Sequence, residues 1–119
     1  MSDRTGRLKV STEGAVTVVE LTDKKLLEEE SISGIGEQLN TLVSGVEHPT
    51  IVVDFSSVGH MSSSALGMLI TLHKRIREKD GQLRLCGVRP SIYEVFVITR
   101  LNEIFRICST RQEAMEGLG

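Results

Sequence analysis

Three consecutive hydroxyls, Ser62, Ser63 and Ser64, stand between a loop and an apolar run with helical spacing. Serine at such a place has two chemical uses. Its oxygen accepts from the unpaired amides of the first helical turn and caps the helix. Alternatively, it stands on a rigid scaffold edge as the acceptor of a transferred phosphoryl group. The helix N-terminus tolerates that charge, because its amides are unpaired and its dipole end is positive. A phosphate adds about −1.5 to −2 charge at pH 7 and imposes desolvation and repulsion on a docked partner. One position can then be well folded in two states and bind in only one.

Other chemistries find little support. Gly-x-Ser-x-Gly is absent around Ser63, and His48, His60 and His73 are scattered, so a serine hydrolase is not indicated. No GxGxxG or P-loop lysine motif suggests a nucleotide binder. Three isolated histidines and two separated cysteines do not make a metal site. No cofactor and no catalytic residue is expected. The chain reads as a binding module and not an enzyme.

The elements that must position the serines follow from patterning. Ile51 to Phe55 is apolar on both faces apart from Asp54, as in a central covered strand, and breaks at Ser56-Ser57-Val58-Gly59. A helix is expected from about Ser63 to Lys79, closed by Asp80-Gly81. On its wheel Ala65, Leu69, Leu72 and Ile76 form the core stripe, with Met68 beside it. Ser63, Leu66, Gly67, Ile70 and Lys74 form a second stripe. That apolar strip headed by a hydroxyl is either a partner-binding face or a surface covered by another helix. Gly67 favours close approach of a partner, since glycine inside a helix costs stability. Lys74, Arg75, Arg77 and Lys79 make a basic helix end that complements the dipole, solvated or facing an acidic partner.

Upstream, Leu8-Lys9-Val10 reads as a short edge strand, Glu13-Gly14 as a turn and Val16 to Leu21 as a strand. Thr22 to Lys25 reads as a loop, and Glu28-Glu29-Glu30 as the first turn of a helix. Ile32, Ile35, Leu39, Leu42 and Val46 give that helix one apolar stripe. Downstream, Leu83, Leu85 and Val88 mark a strand, Pro90 the start of a helix carrying Ile92, Val95 and Phe96, and 104–108 a last strand. Thr110 to Glu113 has capping-box spacing before a helix with Ala114, Met115 and Leu118 inward. Alternating strands and helices give a one-domain α/β fold over residues 1–119, with a largely parallel sheet and 1–7 flexible.

Composition sets the outer bounds. The 119 residues are 39% hydrophobic and 25% charged, ordinary for a globular protein with an aliphatic core. Aromatics at 3% and a net charge of −2 argue against single-stranded nucleic acid and polyanionic partners. No apolar run approaches a membrane span, and the first seven residues lack a signal-peptide core. Cys86 and Cys108 then read as free buried thiols in a reducing, cytoplasmic compartment. Tyr93 reads as a half-buried helix residue with its hydroxyl at the surface.

The run Ile51 to Val58, followed by Met61-Ser62-Ser63-Ser64-Ala65-Leu66-Gly67, resembles the STAS domain of bacterial anti-sigma factor antagonists. Their pattern is an apolar strand, Asp-Leu-Ser or similar, then Met-Asp-Ser-Ser-Gly-Leu-Gly. The resemblance implies a small, mixed but mostly parallel sheet flanked by helices. It also implies that Ser63 is phosphorylated by the partner, an anti-sigma factor with ATPase-type serine-kinase activity, with Ser62 and Ser64 as the alternative acceptors to Ser63. The resemblance further implies a metal-dependent serine phosphatase that reverses the modification. Ser62 to Ser64, Leu66, Gly67, Ile70 and Lys74 form the implied partner surface. The alternative role is a STAS module that binds partners without phosphorylation. Ser62 stands where the family has Asp, and Ala65 where it usually has Gly. A further acidic residue of the family would align near Leu26 or Leu27, with Asp23 close by at a different spacing.

Overall fold

The apolar run that precedes the serine loop lies in the middle of a five-stranded sheet. The computed structural model describes residues 8–22, 25–26 and 29–118, so the expectations for 1–7, Asp23, Leu27 and Glu28 lie outside the described residues. The strands are β1 (Leu8–Glu13), β2 (Val16–Leu21), β3 (Lys25–Leu26), β4 (Thr50–Asp54), β5 (His60–Met61), β6 (Gln82–Cys86) and β7 (Arg106–Cys108). The helices are α1 (Glu29–Ser44), α2 (Ser63–Glu78), α3 (Pro90–Ile98) and α4 (Arg111–Met115). The sheet order is β1-β2-β4-β6-β7, and β3 pairs separately with β5. β1 and β2 form an antiparallel hairpin, while β2, β4, β6 and β7 run parallel. This is the mixed, mostly parallel α/β architecture that the sequence predicts.

Parallel strands need crossovers, and the crossovers place helices on the sheet faces. One face of β4, Ile51 and Val53, belongs to the large core that also buries Ile35 and Leu39 of α1, Leu69 and Ile76 of α2, and Phe96 of α3. The other face, Val52, joins Val16, Val18 and Cys86 under Ala114 of α4 and Leu118. The five-residue α4 is held at its C-terminal end by Arg84, whose guanidinium donates to the carbonyls of Ala114 at 3.2 Å and Glu116 at 2.6 Å.

Several boundaries differ from the sequence expectation. α1 ends at Ser44, so its stripe runs Ile32, Ile35, Leu39, Val43, and Val46 lies beyond it, 48% exposed. Lys79 explains part of the stop: its ammonium donates to the Ser44 carbonyl at 3.0 Å, satisfying an end group of α1. The basic end of α2 is therefore not wholly a solvated face. Lys25, expected in a loop, pairs with His60 in the two-residue ladder. Val88 falls outside β6. The last strand begins at Arg106, because a 3-10 turn at Leu101–Glu103 follows left-handed Arg100. That turn exposes Ile104 (52%) and drives Phe105 inward, edge-on to Phe96 and His73 with ring centroids 5.7 and 5.3 Å away. Tyr93 lies on the outer side of α3, 41% exposed.

Candidate functional site

The loop leaving β4 is built around Asp54, buried at the strand's C-terminal end. A carboxylate there needs hydrogen bonds and a counter-charge. Asp54 Oδ1 accepts from the Ser56 amide at 2.8 Å and from the Ser56 hydroxyl, which folds the chain back on itself. Asp54 Oδ2 accepts from Arg111 Nη2 at 2.7 Å and Nε at 3.2 Å. Arg111 also reaches Glu20 at 3.6 Å. Burial pushes the Asp54 carboxyl up; the Ser56 and Arg111 bonds outweigh it and hold the group below the usual carboxylate range.

The loop is tied on its other side by Arg89, whose Nε and Nη2 donate to the Ser56 carbonyl at 3.3 and 3.2 Å. Gly87 makes this approach possible. It has φ +67°, and a Cβ there would lie 2.5 Å from Ser56 Oγ and 2.9 Å from Asp54 Oδ1. Sequence reasoning missed Arg89, Gly87 and Arg111. The available signal was Asp54 itself, since a lone carboxylate in an apolar central strand demands a cation from elsewhere in the fold.

From this loop the chain enters α2, and the three serines separate into distinct roles. Ser62 is the N-cap, with extended backbone, and its side chain accepts from the Ala65 amide at 3.4 Å. Ser63 is the first helical residue and is exposed; Ser64 follows, also exposed. Of the two uses open to the serines, capping therefore falls to Ser62 and not to Ser63. The first turn of α2 carries no acidic side chain, so its positive dipole end is not offset locally.

The core stripe of α2 is as its wheel predicts, with Ala65, Leu69, Leu72 and Ile76 all buried. The second stripe divides. Ser63, Gly67 and Lys74 are exposed, Ile70 is half-buried against the core, and Leu66 is buried within it. Leu66 is therefore not part of an exposed apolar strip. The physical reason is that α2 is flanked as well as floored: α1 packs along one side, and His73 meets the Phe105 ring on another. A helix covered on more than one side buries a wider arc than one stripe. The open face, Ser63, Ser64, Gly67, Thr71 and Lys74, is small and polar. Beside it, α1 and α2 enclose a groove of about 570 Å³ that Ile32, Gly36, Ser64, Gly67, Met68 and Arg75 help to line.

The cysteines are both free, Cys86 buried and Cys108 half-buried. Burial and the nearby Asp54 carboxylate push the Cys86 thiol up to about 12. Among the described residues no group of three or more His, Cys, Asp or Glu side chains could hold a metal ion. No helix there is long and apolar enough to cross a membrane.

Known proteins share this fold. The structure is similar to an anti-sigma-factor antagonist (STAS) domain protein from Planctomyces limnophilus, with a TM-score of 0.83 and 28% identity over 94% of this chain and 97% of that one. It shares its fold with the phosphorylated form of the Bacillus cell fate determinant SpoIIAA, at TM-score 0.73 and 19% identity over 94% and 99% of the two chains. Among curated sequences, the anti-sigma-B factor antagonist of Listeria monocytogenes is 30% identical over 61 residues, 51% of this chain and 54% of that protein. The chain spans about half the length of the curated relatives it matches. The STAS domain family model matches residues 9–114, from β1 through α4 and including the β4 loop and the serine helix. The chain belongs to the STAS domain family.

Proposed function

We propose that this protein is an anti-sigma factor antagonist-type interaction module, switched by phosphorylation of Ser63. In this reading the unmodified protein binds an anti-sigma factor of the ATPase type, which is also the serine kinase. A metal-dependent serine phosphatase restores the binding form. The module itself performs no catalysis and works in the cytoplasm, without contacting nucleic acid or membrane.

The observation that carries the reading is the exposed Ser63 hydroxyl on the first turn of α2, in a chain with antagonist relatives. Ser62 already caps the helix, so Ser63 is free of that task and a phosphate on it leaves the cap in place. The first turn has no carboxylate to repel the modification. The Asp54, Ser56 and Arg89 bonds hold the preceding loop in a fixed shape, which suits presentation to a kinase. Ser63, Ser64, Gly67 and Lys74 then form the surface that a phosphate controls, with Ile70 at its margin. Ser62 contributes by setting the helix start, and Leu66 by supporting the surface from beneath.

A second reading rests on one departure. Ser62 occupies the place of the family aspartate, and a kinase that needs that carboxylate to orient Mg·ATP would leave Ser63 unmodified. The protein would then be a partner-binding module without a phospho-switch. Affinity purification from the native cell with phosphosite mapping separates the readings. The switch predicts a kinase-like ATPase partner and phosphate on Ser63; a partner with no phosphate under any growth or stress condition favours the second.

A further inference from the structure

The C-terminal ends of the parallel strands line up one row of side chains on the α4 face of the sheet. Glu20 of β2 registers with Asp54 of β4, Asp54 with Cys86 of β6, and Cys86 with Cys108 of β7. Arg111 bridges the two carboxylates of this row. The other two members are thiols that the switch at Ser63 does not use.

We propose that Cys86 and Cys108 form a cross-strand dithiol that a hydroperoxide closes to an intramolecular disulfide through a sulfenic acid on Cys108.

In-register residues of adjacent strands point to one face, and neighbouring strands lie about 4.8 Å apart. That spacing falls within the Cα separations of about 4.4–6.8 Å that a disulfide bridges. Both thiols belong to the same apolar cluster, Cys86 as a fully buried member and Cys108 packed against it from a half-buried position. The closure asks little of the backbone, because β7 is a three-residue strand at the sheet edge, where opening and adjustment cost least.

Exposure assigns the order of events. Peroxide meets Cys108, which solvent reaches, and not Cys86, which is 0% exposed. The Cys108 sulfur displaces an alcohol or water from the peroxide and becomes the sulfenic acid, oxidised by two electrons. As the edge strand β7 opens and relieves the burial that keeps Cys86 protonated, the Cys86 thiol ionises, its sulfur attacks the Cys108 sulfur, the S–S bond forms, and the sulfenic hydroxyl leaves as water with the Cys86 proton. Each peroxide is reduced once and each pair of thiols is oxidised once. The bond would join β6 to β7 just before α4, beside the Asp54–Arg111 pair. This proposal does not depend on Ser63 being a phosphoacceptor.

The test treats the reduced, full-length protein with hydrogen peroxide, alkylates the remaining thiols and maps the peptides by mass spectrometry. The expected product is a monomer two hydrogens lighter, with both thiols lost together, a linked Cys86–Cys108 peptide pair, and full recovery with dithiothreitol. Cys86→Ala should stop at a Cys108 sulfenic acid that dimedone traps. Cys108→Ser, a change at a half-exposed edge position, should leave the Cys86 thiol unmodified. Wild-type protein that carries Cys108 sulfinic acid beside a free Cys86, disulfides only between chains, or equal loss of the Cys86 thiol in Cys108→Ser would each overturn the proposal.

Discussion

Asp54 and Arg111, separated by 57 positions, meet in a two-point contact at 2.7 and 3.2 Å that ties the last helix to the centre of the sheet. Asp54 is buried while Arg111 is partly exposed, so removing the cation leaves a carboxylate stranded in the interior. Arg111→Ala should lower stability by about 1.5–3 kcal/mol, and Asp54→Asn should cost less in the Arg111→Ala background than alone. Denaturant unfolding of the four proteins measures that coupling.

The same pair sets an acid limit. Asp54 has a folded pKa below that of a free carboxylate, so in the window between the two values the unfolded state binds more protons. Its stabilisation is complete above the unfolded pKa of about 3.9 and is lost as pH falls through the lower folded value. Thermal melts across acidic pH should show this loss in the wild-type chain and a shallower one in Asp54→Asn.

Gly87 tests the loop geometry. Its left-handed backbone and the closeness of Ser56 and Asp54 leave no room for a side chain. Gly87→Ala should destabilise by about 1–3 kcal/mol from backbone strain alone. Accelerated exchange of the Ser56 amide, which Asp54 now holds, would show that the loop has opened. An unchanged midpoint and unchanged exchange would contradict the role given to Gly87.

Neighbouring serines should respond differently to alanine. Ser62→Ala removes the cap and should cost about 1 kcal/mol. Ser63→Ala, at an exposed position outside the cap, should stay within about 0.5 kcal/mol of wild type. A stability loss at Ser63 equal to that at Ser62 would reverse the assignment.

Within α2, burial predicts which changes act on the fold and which on a partner. Leu66→Ala empties a core site and should cost about 2–5 kcal/mol. Gly67 has open space where a Cβ would stand, so Gly67→Ala should stabilise the helix by about 0.5–1 kcal/mol. If the open face receives a partner closely, the same substitution should weaken binding while it strengthens the fold. Calorimetry and thermal melts on one sample read both.

Local patterning carried much of this far. The β-branched run of β2, the apolar run of β4 and the core stripe of α2 reflect interactions within a few residues, and all three are where their periodicity puts them. Thr110 likewise caps α4, accepting from the Glu113 amide at 3.1 Å. What was hidden depends on residues distant in sequence. Arg111 as the partner of Asp54, Gly87 as the space for Ser56, and Lys79 as the cap of α1 all need the tertiary fold to bring them together. Leu66 stayed open between two readings for a related reason: a wheel shows which residues share a face but not how many neighbours cover it. Ile104 shows the limit of apolar runs, since a 3-10 turn reverses which side chain points inward.

In the proposed switch, the state of Ser63 controls partner binding. The direct measurement is the affinity of an anti-sigma-type kinase, recovered from the native cell, for wild type, Ser63→Ala and Ser63→Glu. Ser63→Ala should bind as wild type does, and Ser63→Glu should bind at least tenfold more weakly (about 1.4 kcal/mol) while melting at the same temperature. Equal affinities across the three folded proteins would contradict it.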